Sequence, residues 1–451
     1  MALPPGPQES RLRQTLAWSL RTPPFLGRNR ERYGDVFTMR IAAADPIVVV
    51  SDPELVKKVF TGDPNILRAG EGNAILGPVL GDHSVLLLDG PEHLRHRKLL
   101  LPAFHGERMS AYTQLMRDVT NTAIDGWPVG ENIPLLPRFQ AITLDIILRA
   151  VFGLEPGDRQ ADPLREAMRK MMSWGTTPLA AIFMSLEANG KPGPWRLAQR
   201  AVDQADSLLY AHIAERRAAG DLADRDDVLS MLLQAVDEDG NGLTDQELRD
   251  ELMTLLTAGH ETTATALAWA YERLLRQPED MERLREEALG DDVEDGWTDA
   301  VIREAMRRRP PIPMVVRKLS EPWTLREEDG PLPAGTLVAP AIWLIHHRPD
   351  IYPEPGAFKP ERWLDTKPDT YRWLPFGGGV RRCLGASFAL LEMREVLRTI
   401  VGRVELEVAG PAAKREPITR RAIVISPRHR TMARVAAKRP ASEPVATGAT
   451  A

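Results

Sequence analysis

A single cysteine, Cys383, stands among the 451 residues of this chain. It can close no internal disulfide, and it excludes every iron–sulfur or zinc site that needs two or more thiolates. A membrane span is missing too. No run approaches the roughly 18 consecutive apolar residues one requires, and the longest candidate, residues 337–345, has a proline inside it. Charge of one sign is also lacking: 58 basic and 63 acidic side chains leave a net of −5, so no global field calls for nucleic acid or anionic lipid. Residues 1–7 carry neither a positive stretch nor an apolar one, so no secretory signal is read and a cytoplasmic location is expected. No interior stretch has the composition of a linker. The reading is one domain over residues 1–435, followed by a small, polar, disordered tail at 436–451.

What is present is an ordinary globular composition, 43% apolar and 27% charged, with one excess. Proline makes up 38 of 451 residues, about 8% against a usual ~5%. Much of it falls in 310–375, which predicts long ordered loops. Segments 36–41 and 47–50 read as a hairpin with a helix at 53–60 behind it; most of 90–310 is helix-patterned, and late strands are expected at 404–408 and 422–425. The fold class is therefore mainly α with a small β region. One helix is expected over 244–277, closed by Pro278. Thr244 and Glu247 have capping-box spacing, and Leu248, Leu252, Leu255 and Leu256 form its apolar stripe. At about 1.5 Å per residue it spans roughly 45–50 Å. Its middle, Ala258-Gly-His-Glu-Thr-Thr263, puts a glycine, a charge and two β-branched hydroxyl residues where a buried helix would carry Leu or Ala.

Around the cysteine the chain reads Phe376-Gly-Gly-Gly-Val-Arg-Arg-Cys383-Leu-Gly-Ala, followed by an amphipathic helix at 384–401. The glycines let the backbone turn tightly and approach something flat, and a cysteine at a helix start among Arg381 and Arg382 is expected to favour thiolate. Such a thiolate suits one axial bond to haem iron, where it favours O–O cleavage. The alternative is a buried structural cysteine. The glycines and arginines speak against it.

Phe-Gly-x-Gly-x-Arg-x-Cys-x-Gly resembles the haem-binding signature of the cytochrome P450 family. Four more motifs match in order: Glu304-Ala-Met-Arg307, Pro360-Glu-Arg-Trp363, Ala258-Gly-His-Glu-Thr-Thr263 and His93-Leu-Arg-His-Arg97. The resemblance runs from about Tyr33 to Pro427. It implies a triangular helical prism around one haem b, iron protoporphyrin IX, with Cys383 as its metal ligand in a loop that includes Phe376, Gly377 and Gly385. It further implies a bracing triad of Glu304, Arg307 and Arg362, and propionate partners His93, Arg97, Arg317 and Arg381. Arg381 stands where many relatives carry histidine. Glu261 and Thr262 become candidates for delivering the two protons that scission of dioxygen requires, with glutamate in place of the more frequent aspartate. Ala258 and Gly259 would lack bulk so that the helix can lie close over the cofactor. Back-bonding of Thr262 to an upstream carbonyl is the alternative. Arg95 and His96 are read as solvated.

By the same resemblance the pocket walls are Ile75, Leu76, Val79 and Leu80; Leu252, Leu255, Leu256 and Ala258; and Ile312, Met314 and Val315. This aliphatic lining suits a lipophilic substrate of the fatty acid, terpenoid or steroid class, hydroxylated by a monooxygenase. No electron-transfer module is fused on, so a separate ferredoxin and ferredoxin reductase are the expected partners. They would dock on a basic patch of Arg381, Arg382 and Arg394; no nucleic acid and no membrane are expected, and the protein should be a monomer. A haem-thiolate peroxygenase or isomerase is the second reading, against which the acid–alcohol pair speaks; a non-catalytic haem sensor is the third. Other signals fall away. Asp237-Glu-Asp-Gly-Asn-Gly242 imitates a calcium loop but has Leu248 at the position of the bidentate glutamate. His260-Glu261 has Ala264 where a zinc protease needs its second histidine. His346 and His347 are expected to pack or face solvent, and Gly70-x-Gly72 lacks the third glycine of a dinucleotide loop.

Overall fold

The computed structural model describes residues 3–42, 44–106, 108–174, 195–290, 296–410 and 414–440. Its axis is the central helix Asp245–Leu274, 30 residues long and hence about 45 Å. The capping box predicted at its start is formed: Thr244 Oγ1 accepts from the Glu247 amide at 3.2 Å and Glu247 Oε2 accepts from the Thr244 amide at 2.7 Å. Nearly every residue from Thr263 to Leu274 is buried, because neighbours cover this half on all sides. Helix Leu135–Ala150 lies along it, and the cysteine helix Ala386–Arg403 packs on helices Arg108–Asp125 and Gly296–Arg308. These helices share one apolar core.

The strands are β1 (Val36–Met39), β2 (Ile47–Val50), β3 (Leu67–Arg68), β4 (Asn132–Pro134), β5 (Arg317–Leu319), β6 (Trp323–Thr324), β7 (Pro331–Leu332), β8 (Leu337–Pro340), β9 (Val404–Val408), β10 (Ile418–Arg421), β11 (Val424–Pro427) and β12 (Met432–Lys438). The largest sheet runs β1-β2-β8-β5-β3. Its β2 and β8 pair in parallel, Val48 against Val338, and the Val48-Val49-Val50 run is buried on both faces, which is why it reads as continuous rather than alternating. A second sheet has the order β4-β12-β9, and β10 with β11 forms a hairpin reaching back to the central helix. Strand β12 continues to Lys438, so ordered backbone passes the boundary read at residue 435. Residues 441–451 of the expected tail lie outside the described residues. Among the described residues no helix is long and apolar enough to cross a membrane.

Candidate active site

The cysteine loop is built by its glycines, though for a reason the sequence did not give. Gly377 and Gly379 take φ of +66° and +65°, and Cβ atoms on Gly378 or Gly379 would run into Phe60 of helix Pro53–Thr61, the second at 2.0 Å from the Phe60 carbonyl oxygen. Gly378 and Gly379 thus approach Phe60 closely. The Cys383 amide then donates to the Phe376 carbonyl at 3.0 Å, closing the loop. Cys383 keeps accessible surface although protein surrounds it. Burial pushes its thiol up, and the Gly385 N–H, Arg382 and Arg97 oppose this without reversing it. In the chain alone the helix start and the arginines oppose desolvation without outweighing it, so binding a metal would drive off the proton.

Four nitrogen side chains converge beside this loop. Burial lowers His93 to about 3, reinforced by the charges of Arg381, Arg97 and Arg317, so it is neutral. Arg317 and Arg381 are both pulled down to about 10 by burial, and Arg97 is lowered for the same first reason. Among the described residues Asp89 is the one carboxylate paired with any of the four; it holds Arg381, which also donates to the Val85 and Leu88 carbonyls. A buried cluster with this surplus of positive charge is costly alone and suits a ligand carrying two carboxylates. Together with an accessible thiol at a helix start, these donors fit an iron porphyrin with two propionates.

On the central helix, Ala258 is exposed and Thr257, Gly259, Glu261 and Thr262 are half-buried, so this stretch keeps accessible surface where the helix is elsewhere packed. Thr262 Oγ1 donates to the Ala258 carbonyl at 2.6 Å, so the back-bonded arrangement, set aside on sequence, is the one found. Its oxygen still has lone pairs to offer. Glu261 turns to another face. It accepts from Gln140 Nε2 at 2.6 Å and lies 3.6 Å from Arg421 Nε of β10; burial raises its pKa against both. A Cβ on Gly259 would meet Ile147 Cδ1 at 3.0 Å, so the glycine serves helix packing there. His260 is buried within 2.9 Å of Thr143 Oγ1. Of the residues read as walls, Leu80, Leu252 and Leu256 are fully packed in the core, whereas Ile75, Leu76, Val79, Leu255, Ile312, Met314 and Val315 keep partial exposure.

Behind the loop, Glu304 takes Nε and Nη2 of Arg307 at 2.8 Å each, the Trp363 indole at 3.0 Å and the Lys359 amide at 3.0 Å. Arg307 spends its remaining donors on the carbonyls of His346, Pro355 and Ala357, and Arg362 Nε stands 3.5 Å from Glu304. Other expectations change. Arg95 pairs with Asp237 and Glu247, and His96 is buried between Glu247 and Glu251, so neither is solvated. Arg381 faces inward and Arg394 is paired with Asp299, so they do not form the basic patch expected with Arg382. His346 accepts from the Leu374 amide and His347 stacks on Trp343. Asp237 caps its own turn, and no metal-binding group of acidic, His or Cys residues is found among the described residues. Gln140, Arg421 and Asp89 were not singled out on sequence; nor was Glu392, a buried carboxyl bonded to Thr263 and pushed well above its usual range by burial. A glutamate on the inner face of an amphipathic helix was its one visible signal.

Fold and site thus define a mainly helical haem-thiolate protein. The cytochrome P450 family model matches residues 4–433, and the chain belongs to that family. It is 40% identical over 446 residues to a Mycobacterium tuberculosis protein named cytochrome P450 135B1, covering 98% of this chain and 93% of the relative, and 41% identical over 430 residues to cytochrome P450 135A1 of the same species, covering 95% and 94%. Among solved structures, a cyanobacterial cytochrome P450 with retinoic acid bound matches with a TM-score of 0.82 at 24% identity, covering 96% of this chain and 99% of that one. The haem domain of cytochrome P450DA matches with 0.82 at 23% identity, covering 98% of each. The chain is accordingly a monooxygenase that binds haem b through a cysteine thiolate, and it has one cysteine to offer.

Proposed function

We propose that this monooxygenase hydroxylates a lipophilic small molecule of the fatty acid, terpenoid or steroid class, drawing electrons from a separate ferredoxin and ferredoxin reductase and working as a cytoplasmic monomer. The observation that carries the substrate class is the aliphatic character of the partly exposed wall residues Leu76, Val79, Leu255, Ile312 and Val315. Bound haem supplies the activation of dioxygen. The chain's own residues do the rest. Cys383 ligates, His93 with Arg97, Arg317 and Arg381 anchors the propionates, Glu261 passes protons inward and the Thr262 oxygen holds one beside the reacting centre.

The test has two stages. The reduced, carbon monoxide-bound protein should absorb at roughly 450 nm, and a band near 420 nm in fresh protein would remove thiolate ligation. Difference spectra against fatty acid, terpenoid and steroid libraries should then find a ligand that shifts the ferric spin state and is hydroxylated on adding ferredoxin and its reductase. A library giving shifts only with polar or charged compounds would overturn the substrate class.

A further inference from the structure

Three consecutive charged residues, Arg249, Asp250 and Glu251, lie in the first turns of the central helix, and all three are buried. Such residues normally face water. Arg249 Nε is held by Asp206 Oδ1 at 2.8 Å, and the other contacts of the three converge on the backbone of one loop. Arg249 donates through Nη1 to the Leu80 carbonyl at 2.9 Å and through Nη2 to the Val79 carbonyl at 3.3 Å. Asp250 Oδ2 accepts from the His83 amide at 2.9 Å, while its Oδ1 takes Arg249 Nη1 at 2.8 Å. Glu251 Oε1 accepts from the Val85 amide at 2.9 Å and lies 2.8 Å from His96 Nδ1. One turn on, Thr254 Oγ1 is 2.7 Å from Ser84 Oγ. The loop is shaped for this seat: Gly81 has φ +86°, and a Cβ on it would sit 2.1 Å from Asp250 Oδ1. Only glycine fits there.

Burying three charges is an expensive way to gain stability, since well-packed apolar residues serve that end as well or better. What the charges supply is position. Oriented donors and acceptors fix the loop's backbone at four successive places, which apolar packing alone would leave free to slide. The far end is gripped from the other side, because the Val85 carbonyl accepts from Arg381 Nη1 at 3.1 Å. One residue is thereby tied by its N–H to the central helix and by its carbonyl to the cysteine loop.

We propose that Arg249, Asp250 and Glu251 are positioning residues that clamp the backbone of residues 79–85 and so hold Val79, with Leu76 before it, as a rigid wall of the substrate chamber, where ligand size is selected by a fixed shape. The proposal rests on the reading of Leu76 and Val79 as chamber wall. It is tested on the haem-loaded ferric protein with two measurements. Amide hydrogen exchange should show His83 and Val85 protected in the wild type, and Asp250→Ala should speed exchange at His83 by about tenfold or more. Imidazole and the bulkier 4-phenylimidazole, titrated by their Soret shifts, should change their affinity ratio by about fivefold or more in Asp250→Ala, with imidazole alone altered by less than about twofold. Unprotected amides in the wild type would overturn the clamp. Protected amides with an unchanged ratio, or with both azoles shifted equally, would overturn the selective role by showing that the loop is held but is not the wall. Should Asp250→Ala not load haem, Glu251→Gln, which keeps size and weakens the hold on Val85, is read by the same two measurements, with the exchange readout moved to Val85.

Discussion

Glu261 accepts its hydrogen bond from Gln140 Nε2, at 2.6 Å, and not from its chain neighbour Thr262. The acid and the alcohol of the presumed relay occupy different faces of one helix, so proton transfer between them requires Glu261 to swing or a water to bridge. The two residues should therefore fail differently. Thr262→Ala should leave electron consumption running while product falls and peroxide rises, whereas Glu261→Gln should slow both by about 10²-fold, as loss of a proton donor does. Measuring electron donor consumed against product and peroxide separates the cases, and unchanged coupling in Thr262→Ala would sink its role.

Gln140 gives a pH test of the same arrangement. Its hydrogen bond lowers the Glu261 pKa against the rise caused by burial. Gln140→Leu removes the lowering contribution and leaves burial, so whichever limb of the turnover profile reports Glu261 should move to higher pH. A profile that stays in place would take Glu261 out of the rate-determining proton path.

Arg317 should show opposite signs in the apoprotein and the loaded enzyme. It is buried, lowered to about 10 first by desolvation and then by Arg381, and among the described residues its guanidinium donates to its neighbour's carbonyl at Val316. Replacing an unpaired buried charge by a side chain of similar length relieves a cost, so Arg317→Met should raise the melting temperature of apoprotein. If the guanidinium holds a propionate, the same change should speed haem loss to an acceptor globin by about tenfold or more. Unaltered haem retention would remove Arg317 from the propionate set.

Part of the brace was legible because it is written locally. Glu304 and Arg307 are three residues apart on one helix, the Thr244 capping box spans three residues, and the cysteine loop is one continuous stretch, but it was the resemblance to a family's motifs that named the triad and joined the distant Arg362 to it. What stayed hidden depends on which distant segment arrives opposite. Nothing near Arg381 names Asp89, nothing near Glu261 names Gln140 or Arg421, and nothing near Gly378 and Gly379 names the Phe60 packed against them. Desolvation at Cys383 was hidden for a related reason, since it is set by the surrounding fold and not by the two arginine neighbours in sequence. One anomaly was visible and passed over: Arg249-Asp-Glu251 interrupts the stripe between Leu248 and Leu252, and charges at buried helical positions are a signal that something specific is held there.

Glu304 is the buried member on which the triad turns, and removing its charge tests the brace. Glu304→Gln cannot satisfy both nitrogens of Arg307 while still accepting from Trp363 and Lys359, and it leaves a fully buried guanidinium without its counter-charge. Breaking such a pair costs about 3–5 kcal/mol, so the denaturation midpoint should fall sharply and haem incorporation with it. A loss below about 1 kcal/mol, the range of exposed pairs, would mean the network is not structural.

His260 offers a prediction on stability against pH. It is buried beside Thr143 and lowered to about 3, chiefly by desolvation and further by Arg421, whereas in the unfolded chain it titrates near its ordinary 6.5. Because its folded pKa is depressed, its contribution to stability is complete above pH 6.5. As pH falls below that value the unfolded chain takes up a proton that the folded one refuses. The loss is about 1.4 kcal/mol per pH unit and continues toward pH 3. Many other groups titrate in the same window, so the measurement is the difference between the wild type and His260→Asn, which keeps a hydrogen-bonding group for Thr143 but does not titrate. At pH 7.5 the variant should be the less stable, and its deficit should shrink by about 1.4 kcal/mol for each unit of acidification below 6.5. A deficit that stays constant from pH 7.5 to 5 would mean that His260 takes up a proton in the folded protein as readily as in the unfolded one.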